Sequence, residues 1–123
     1  MKNILVIQGG GRPHGNTAQL VESFVRGAEE AGNSVEVISL NKHEVKGCLG
    51  CNACRYGKPC VQKDSFNEIV PKIKGADCIV FASPLYFWTI SSKLKAFIER
   101  FYCIAEEDPN PPLGRYEKYL VKD

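Results

Sequence analysis

The stretch NILVIQGGGRPHGNTAQLVESFV, residues 3–25, decides the fold. Asn3 to Gln8 is a short β-rich run without polar alternation, as expected of a strand buried on both faces. Four glycines follow in the turn (Gly9, Gly10, Gly11, Gly15). From Ala18 onward, Leu20, Val21, Phe24, Val25, Ala28 and Ala31 keep helical spacing. Asn16 is placed to cap that helix, Gln19 stands in the capping-box position, and Gly32 is where the helix ends. Ser34 to Leu40 reads as a second strand, so the chain opens with a βαβ unit whose crossover is right-handed.

Outward from that unit the alternation continues. A cysteine-rich loop is followed by Ser65 to Lys74, a helix with Ser65 and Glu68 as a capping box, in which Pro71 predicts a kink or a shortening. Asp77 to Ala82 reads as a third buried strand, and Ile90, Leu94, Phe97, Ile98 and Phe101 line one face of a third helix. The proline-rich EDPNPPLGR then leads to Tyr116–Asp123, the start of a fourth strand. Strands alternating with helices predict a doubly wound α/β sheet, with ligands at the carboxyl ends of its strands.

Composition bounds the function. The 123 residues, 44% hydrophobic and 24% charged, suit one domain over residues 1–123. The net charge of +2 is spread along the chain with no basic block, which argues against nucleic acid as partner. The apolar run near the amino terminus is too short for a signal peptide. No stretch approaches the roughly 18 residues needed to span a bilayer, so a cytoplasmic protein without membrane contact is expected. In that reducing compartment the six cysteines point to metal or redox chemistry rather than a disulfide framework.

The glycine-rich turn aims backbone amides and a helix dipole at one spot, which favours an anion. The dinucleotide pattern fails because His14 stands where a third glycine belongs. The triphosphate pattern fails because Asn16 replaces its lysine. What remains suits one terminal phosphate held by amides, Asn16, the Thr17 hydroxyl and Arg12, the alternative being a turn that holds nothing. After the third strand, SPLYFWTIS (Ser83–Ser91) puts three aromatics beside turn residues, where they suit the edge of a flat aromatic ligand or packing against a partner subunit. Cys48, Cys51, Cys54 and Cys60 have the spacing C-x2-C-x2-C-x5-C, which wraps a cubane cluster more readily than a zinc ion. Cys78 and Cys103 read as small buried hydrophobes.

ILVIQGGGRPHGNTAQL, the cysteine loop and IVFASPLYFWTISSKLKAFIERFY together resemble the flavodoxin-like NADPH-dependent FMN reductases, in particular the cysteine-rich branch that includes the iron-sulfur flavoproteins. The resemblance implies a parallel sheet of order 2-1-3-4-5, with the FMN phosphate on Gly10, Arg12, Gly15, Asn16 and Thr17. It implies that Pro84, Leu85, Tyr86, Phe87 and Trp88 border the ribityl chain and the flavin ring. Many relatives carry serine at the position of Gly10, so weaker phosphate binding is expected. It also implies NAD(P)H as donor, a quinone, flavin or redox protein as acceptor, and a homodimer or higher oligomer. For Cys48, Cys51, Cys54 and Cys60 it leaves two readings, ligands of a [4Fe-4S] cluster or a lid in an enzyme carrying FMN alone. The implied sheet has five strands, of which three and the start of a fourth can be placed, so an open sheet edge needing cover is expected. Two rival readings stand beside the reductase: a non-enzymatic electron carrier and a cofactor-free remnant.

Overall fold

Strand β1 (Asn3–Gln8) is the middle of a three-stranded parallel sheet of order β2-β1-β3. Its neighbours are β2 (Ser34–Ser39) and β3 (Cys78–Ala82). The structure is a computed structural model and describes residues 1–54, 58–107 and 119–121. The central position accounts for the unbroken apolar run: Leu5, Val6 and Ile7 are at most 2% exposed. In register, Leu5 lies beside Ile79, and Ile7 beside Ile38 and Phe81, so these side chains share one face, with Val6, Val37 and Val80 on the other. The order 2-1-3 is the opening of the flavodoxin-like arrangement.

The connections β1 to β2 and β2 to β3 run in opposite directions across the sheet, so right-handed crossovers place their helices on opposite faces. Helix α1 (Asn16–Glu30) covers the Val6 face and buries Ala18 and Val21. It ends as predicted. Gly32, at φ +90°, donates to Glu29 O at 2.9 Å, and Asn33 N–H donates to Ala28 O at 3.0 Å, a Schellman closure. Its start differs from expectation. Gly15, not Asn16, is the capping residue, and no side chain accepts from the first turn.

Helix α2 (Ser65–Gly75) and helix α3 (Ser92–Glu99) cover the other face, where Phe66, Ile69, Ile73, Leu94 and Phe97 join Leu5, Ile7 and Ile38 in one core. Phe66, Phe97 and Phe101 meet edge to face, with centroids 5.2–6.1 Å apart. The α2 cap is Asp64, whose carboxylate accepts from Phe66 N–H at 3.1 Å, so Ser65 lies inside the helix. Pro71 does not shorten α2. A proline there is unfavourable by about 3 kcal/mol, but Phe66, Ile69 and Ile73, all at most 3% exposed, are buried on both sides of it. Each such side chain contributes roughly 1.5–3 kcal/mol.

Two expectations are corrected. Strand β3 is only partly buried, with Cys78 exposed and Phe81 44% exposed, because among the described residues no strand pairs on its far side. The expected fourth strand does not join the parallel sheet. Residues Tyr119–Val121 (β5) pair antiparallel with Ala105–Glu107 (β4), Ala105 opposite Val121. A parallel return needs a crossover of a dozen or more residues, usually helical, and the proline-rich segment between these strands favours no helix. That segment, with Tyr116, Glu117, Lys118, Lys122 and Asp123, lies outside the described residues.

Candidate functional site

The loops after the parallel strands are stitched together at one pole of the sheet. Gly9 N–H donates to Ala82 O at 2.7 Å, tying the loop after β1 to the end of β3. Asn41, in the 3₁₀ turn Leu40–Lys42 after β2, donates from Nδ2 to Gly11 O at 3.0 Å, and Lys93 Nζ donates to Asn41 Oδ1 at 2.8 Å. Gly9 sits against α3: a Cβ there would lie 2.7 Å from Ser91 Oγ and 2.9 Å from Leu94 Cβ. Ser91 in turn caps α3 by accepting from Leu94 N–H at 3.2 Å.

Gly10, Thr17 and Pro84 meet in this junction. A Cβ at Gly10 would stand 3.5 Å from Thr17 Cβ and 3.7 Å from Pro84 Cδ, ordinary contact distances. Gly15 and Asn16 form the adjoining start of α1, which has neither a side-chain cap nor an acidic residue in its first turn. Such a helix end presents free N–H donors and a positive dipole, the electrostatics of an anion site. Arg12 is exposed and lines a groove of about 740 Å³ between α1 and β2, together with Gly10, His14, Val21, Val25 and Val37. None of residues Pro84–Trp88 borders that groove.

Beyond Pro84 the chain makes a tight turn. Tyr86 N–H donates to Thr89 O at 2.9 Å and Thr89 N–H donates to Tyr86 O at 3.1 Å. The two residues between, Phe87 (φ 47°) and Trp88 (φ 65°), both adopt left-handed backbone. That conformation suits Asn-Gly, and an L side chain there is strained by about 1 kcal/mol or more per residue. Phe87 is 98% and Trp88 86% exposed, so these aromatics project from the pole instead of joining the core.

The four predicted cysteines also come together. Cys48, Cys51, Cys54 and Cys60 line one cavity, with Tyr102, Cys103 and Arg100 on its wall. The loop is shaped by positive φ at Gly50 and Asn52, and Asn52 Oδ1 accepts from Tyr102 Oη at 2.9 Å. Gly50 N–H donates to Cys48 Sγ at 3.3 Å, and Arg100 Nη2 donates to Cys60 Sγ at 3.2 Å. Among the described residues no three Cys, His, Asp or Glu side chains are grouped to hold a single metal ion. A cubane asks for something else, one thiolate on each of four separate irons. Against that group the donor set fits in kind: four cysteines line one cavity, two N–H donors already point at sulfur, and Arg100 Nε is buried with no acceptor among the described residues. The free space is about 20 Å³, room for about one water, so the loop must widen to take up a cluster.

Cys103, read from sequence as a buried hydrophobe, is indeed 8% exposed. Burial pushes its thiol up, and the neighbouring Cys60 and Cys54 add to that shift. Arg100 and Asp64 were missed by sequence reasoning. The available signal was a cation three residues after Phe97 and three before Cys103, on the apolar face of a helix. Burial works to raise the Asp64 carboxyl, but hydrogen bonds from Arg100, Lys46 N–H and Phe66 N–H, with the guanidinium charge, hold it below its ordinary value.

The family model of the NADPH-dependent FMN reductases matches residues 2–115 of this chain. The chain belongs to that family. It is 39% identical over 97 residues to an iron-sulfur flavoprotein of Methanocaldococcus jannaschii, a match covering 79% of this chain and 50% of the relative. It is 34% identical over 98 residues to a provisionally named NAD(P)H-dependent FMN-containing oxidoreductase of Bacillus subtilis, covering 80% of this chain and 51% of that protein. A solved NAD(P)H:quinone oxidoreductase from Methanothermobacter marburgensis superposes with a TM-score of 0.70 at 21% identity, over 80% of this chain and 52% of its own. That likeness shows the flavodoxin-like fold. The chain spans about half the length of these relatives. No helix among the described residues is long and apolar enough to cross a membrane.

Proposed function

We propose that this FMN reductase family member is a single FMN-binding domain over residues 1–123, serving an oxidoreductase that passes electrons from NAD(P)H to a quinone, a flavin or a similar acceptor. The observation that carries the reading is the junction of Gly10, Thr17 and Pro84 beside the uncapped start of α1. Bound FMN would supply the hydride- and electron-transfer chemistry. The protein's part is binding and orientation. First-turn amides of α1, the Thr17 hydroxyl and the Asn16 side chain hold the phosphate, Gly10 and Gly15 let it approach, and Arg12 adds positive charge. Pro84, Leu85, Tyr86, Phe87 and Trp88 would border the ribityl chain and ring. No side-chain acid or base is assigned.

The test is an FMN titration followed by calorimetry, with Thr17→Ala and Asn16→Ala each weakening binding several-fold. Unchanged affinity in both variants would sink the phosphate-loop assignment. NAD(P)H consumption with a quinone acceptor then separates the reductase from a carrier that exchanges electrons with proteins alone.

A second reading is favoured by the cysteine cavity: Cys48, Cys51, Cys54 and Cys60 hold a [4Fe-4S] cluster, which would supply single-electron transfer. The name of the Methanocaldococcus relative supports it. Anaerobic reconstitution should give about four irons per chain, and Cys51→Ala should abolish them while sparing FMN. The chain is further proposed to form a homodimer or higher oligomer, because Leu20, Phe81, Phe87 and Trp88 leave apolar surface at 44–98% exposure.

A further inference from the structure

Arg100 opens the 3₁₀ turn Arg100–Ile104 after α3 and is 1% exposed. Burying a guanidinium is strongly unfavourable unless its donors are satisfied. Nη1 donates to Asp64 Oδ2 at 2.6 Å and to Lys46 O at 3.0 Å, and the group lies 5.0 Å from the centroid of the Phe66 ring. A purely structural arginine would be served by these contacts. Here Nη2 is turned to Cys60 Sγ, a weak acceptor while it is a thiol, and Nε is buried with no acceptor among the described residues. Arg100 belongs to the wall of the cavity lined by Cys48, Cys51, Cys54 and Cys60. A thiolate at Cys60 would make the first contact charge-assisted, and sulfide acceptors in the cavity would suit the second.

We infer that Arg100 is a positioning residue that donates hydrogen bonds to the sulfurs of a cluster held by these four cysteines and thereby raises its reduction potential; the inference rests on the cluster reading above. Reduction adds negative charge to the cluster, and N–H donors stabilise the more negative form more. Asp64, 3% exposed at its side chain, balances the guanidinium. The effect is therefore carried by the directed N–H groups, with little left for net charge. Lysine at position 100 keeps the charge but cannot reproduce the fork, so it should lose most of the effect.

The experiment compares the wild type with Arg100→Lys and the double variant Arg100→Gln/Asp64→Asn, which removes both charges and leaves no buried ion unpaired. Each is reconstituted anaerobically with iron and sulfide. Metal content, circular dichroism and the potential from an EPR-monitored redox titration are then measured on the same sample. The expected result is unchanged fold and iron content in both variants, with the reduction equilibrium shifted against the reduced form at least tenfold, about 59 mV for one electron. Folded, iron-replete variants with the wild-type potential would overturn the inference. Loss of iron from both folded variants would overturn it as well, since Arg100 would then serve assembly. A wild type that takes up no iron would instead sink the cluster reading itself and leave Arg100 with a structural role.

Discussion

At the scale of single residues, position 10 offers the sharpest test of the phosphate loop. A side chain there meets atoms at ordinary contact distance, so Gly10→Ser should leave the melting temperature of the FMN-free protein nearly unchanged. The added hydroxyl should tighten FMN binding by roughly 10- to 150-fold, since one hydrogen bond to a charged acceptor contributes about 1.5–3 kcal/mol. Gly9 behaves oppositely. Its Cβ would press within 3 Å of Ser91 and Leu94, and Gly9→Ala should destabilise by about 1–3 kcal/mol in a urea titration, the usual range for overpacking. The Asp64 carboxyl is held below its ordinary value in the folded state. Its contribution is therefore present above the unfolded carboxylate value of about 3.9 and is lost as pH falls through the lower folded value. Acid unfolding should show a corresponding loss of stability below about pH 4, flattened in Asp64→Asn. The glycine-rich turn after β1 and the gathering of the four cysteines were legible because glycine and cysteine announce themselves locally. Arg100 was not, because its role depends on Asp64, Lys46 and Cys60, which are remote in sequence and meet it only after folding.

At the scale of elements, Pro71 and the Phe87–Trp88 turn are both unfavourable locally and held by their surroundings. Pro71 is exposed, so Pro71→Ala removes no packing, restores a helical hydrogen bond and should raise stability by about 2 kcal/mol, after allowing about 1 kcal/mol for the freer unfolded chain. Replacing Phe87–Trp88 by Asn-Gly puts at these left-handed positions a residue that tolerates them and one with no side chain, and should stabilise the fold by about 1–2 kcal/mol. If the turn borders the flavin, that same replacement should weaken FMN binding, a trade of affinity for stability readable by pairing thermal melts with a titration. The alternation of β1, α1, β2, α2, β3 and α3 could be read from periodicity, with boundaries within about a residue or two. What failed were inferences of context. Burial of β3 depends on a neighbouring strand, and the partner of β5 depends on how an intervening segment closes, neither of which is written in the residues themselves.

At the scale of the whole molecule, the two faces of the sheet are unequally built. The face under α2 and α3 holds Phe66, Ile69, Ile73, Leu94 and Phe97 in one continuous core. The other has α1, with Ala18 and Val21 buried while Leu20 is 73% and Phe24 41% exposed. If chains associate to cover this surface, sedimentation should show a larger species that dissociates when Leu20 and Phe24 are both replaced by lysine. The asymmetry has a further consequence for local opening. Amide exchange in β1, hydrogen-bonded on both sides, should require global unfolding, whereas α1 should detach at lower free energy as a separate unit. Because the glycine-rich loop after β1 runs directly into α1, an anion bound there would fasten the looser layer of the protein to the firmer one, and ligand binding should register first as slowed exchange along Ala18–Ala28.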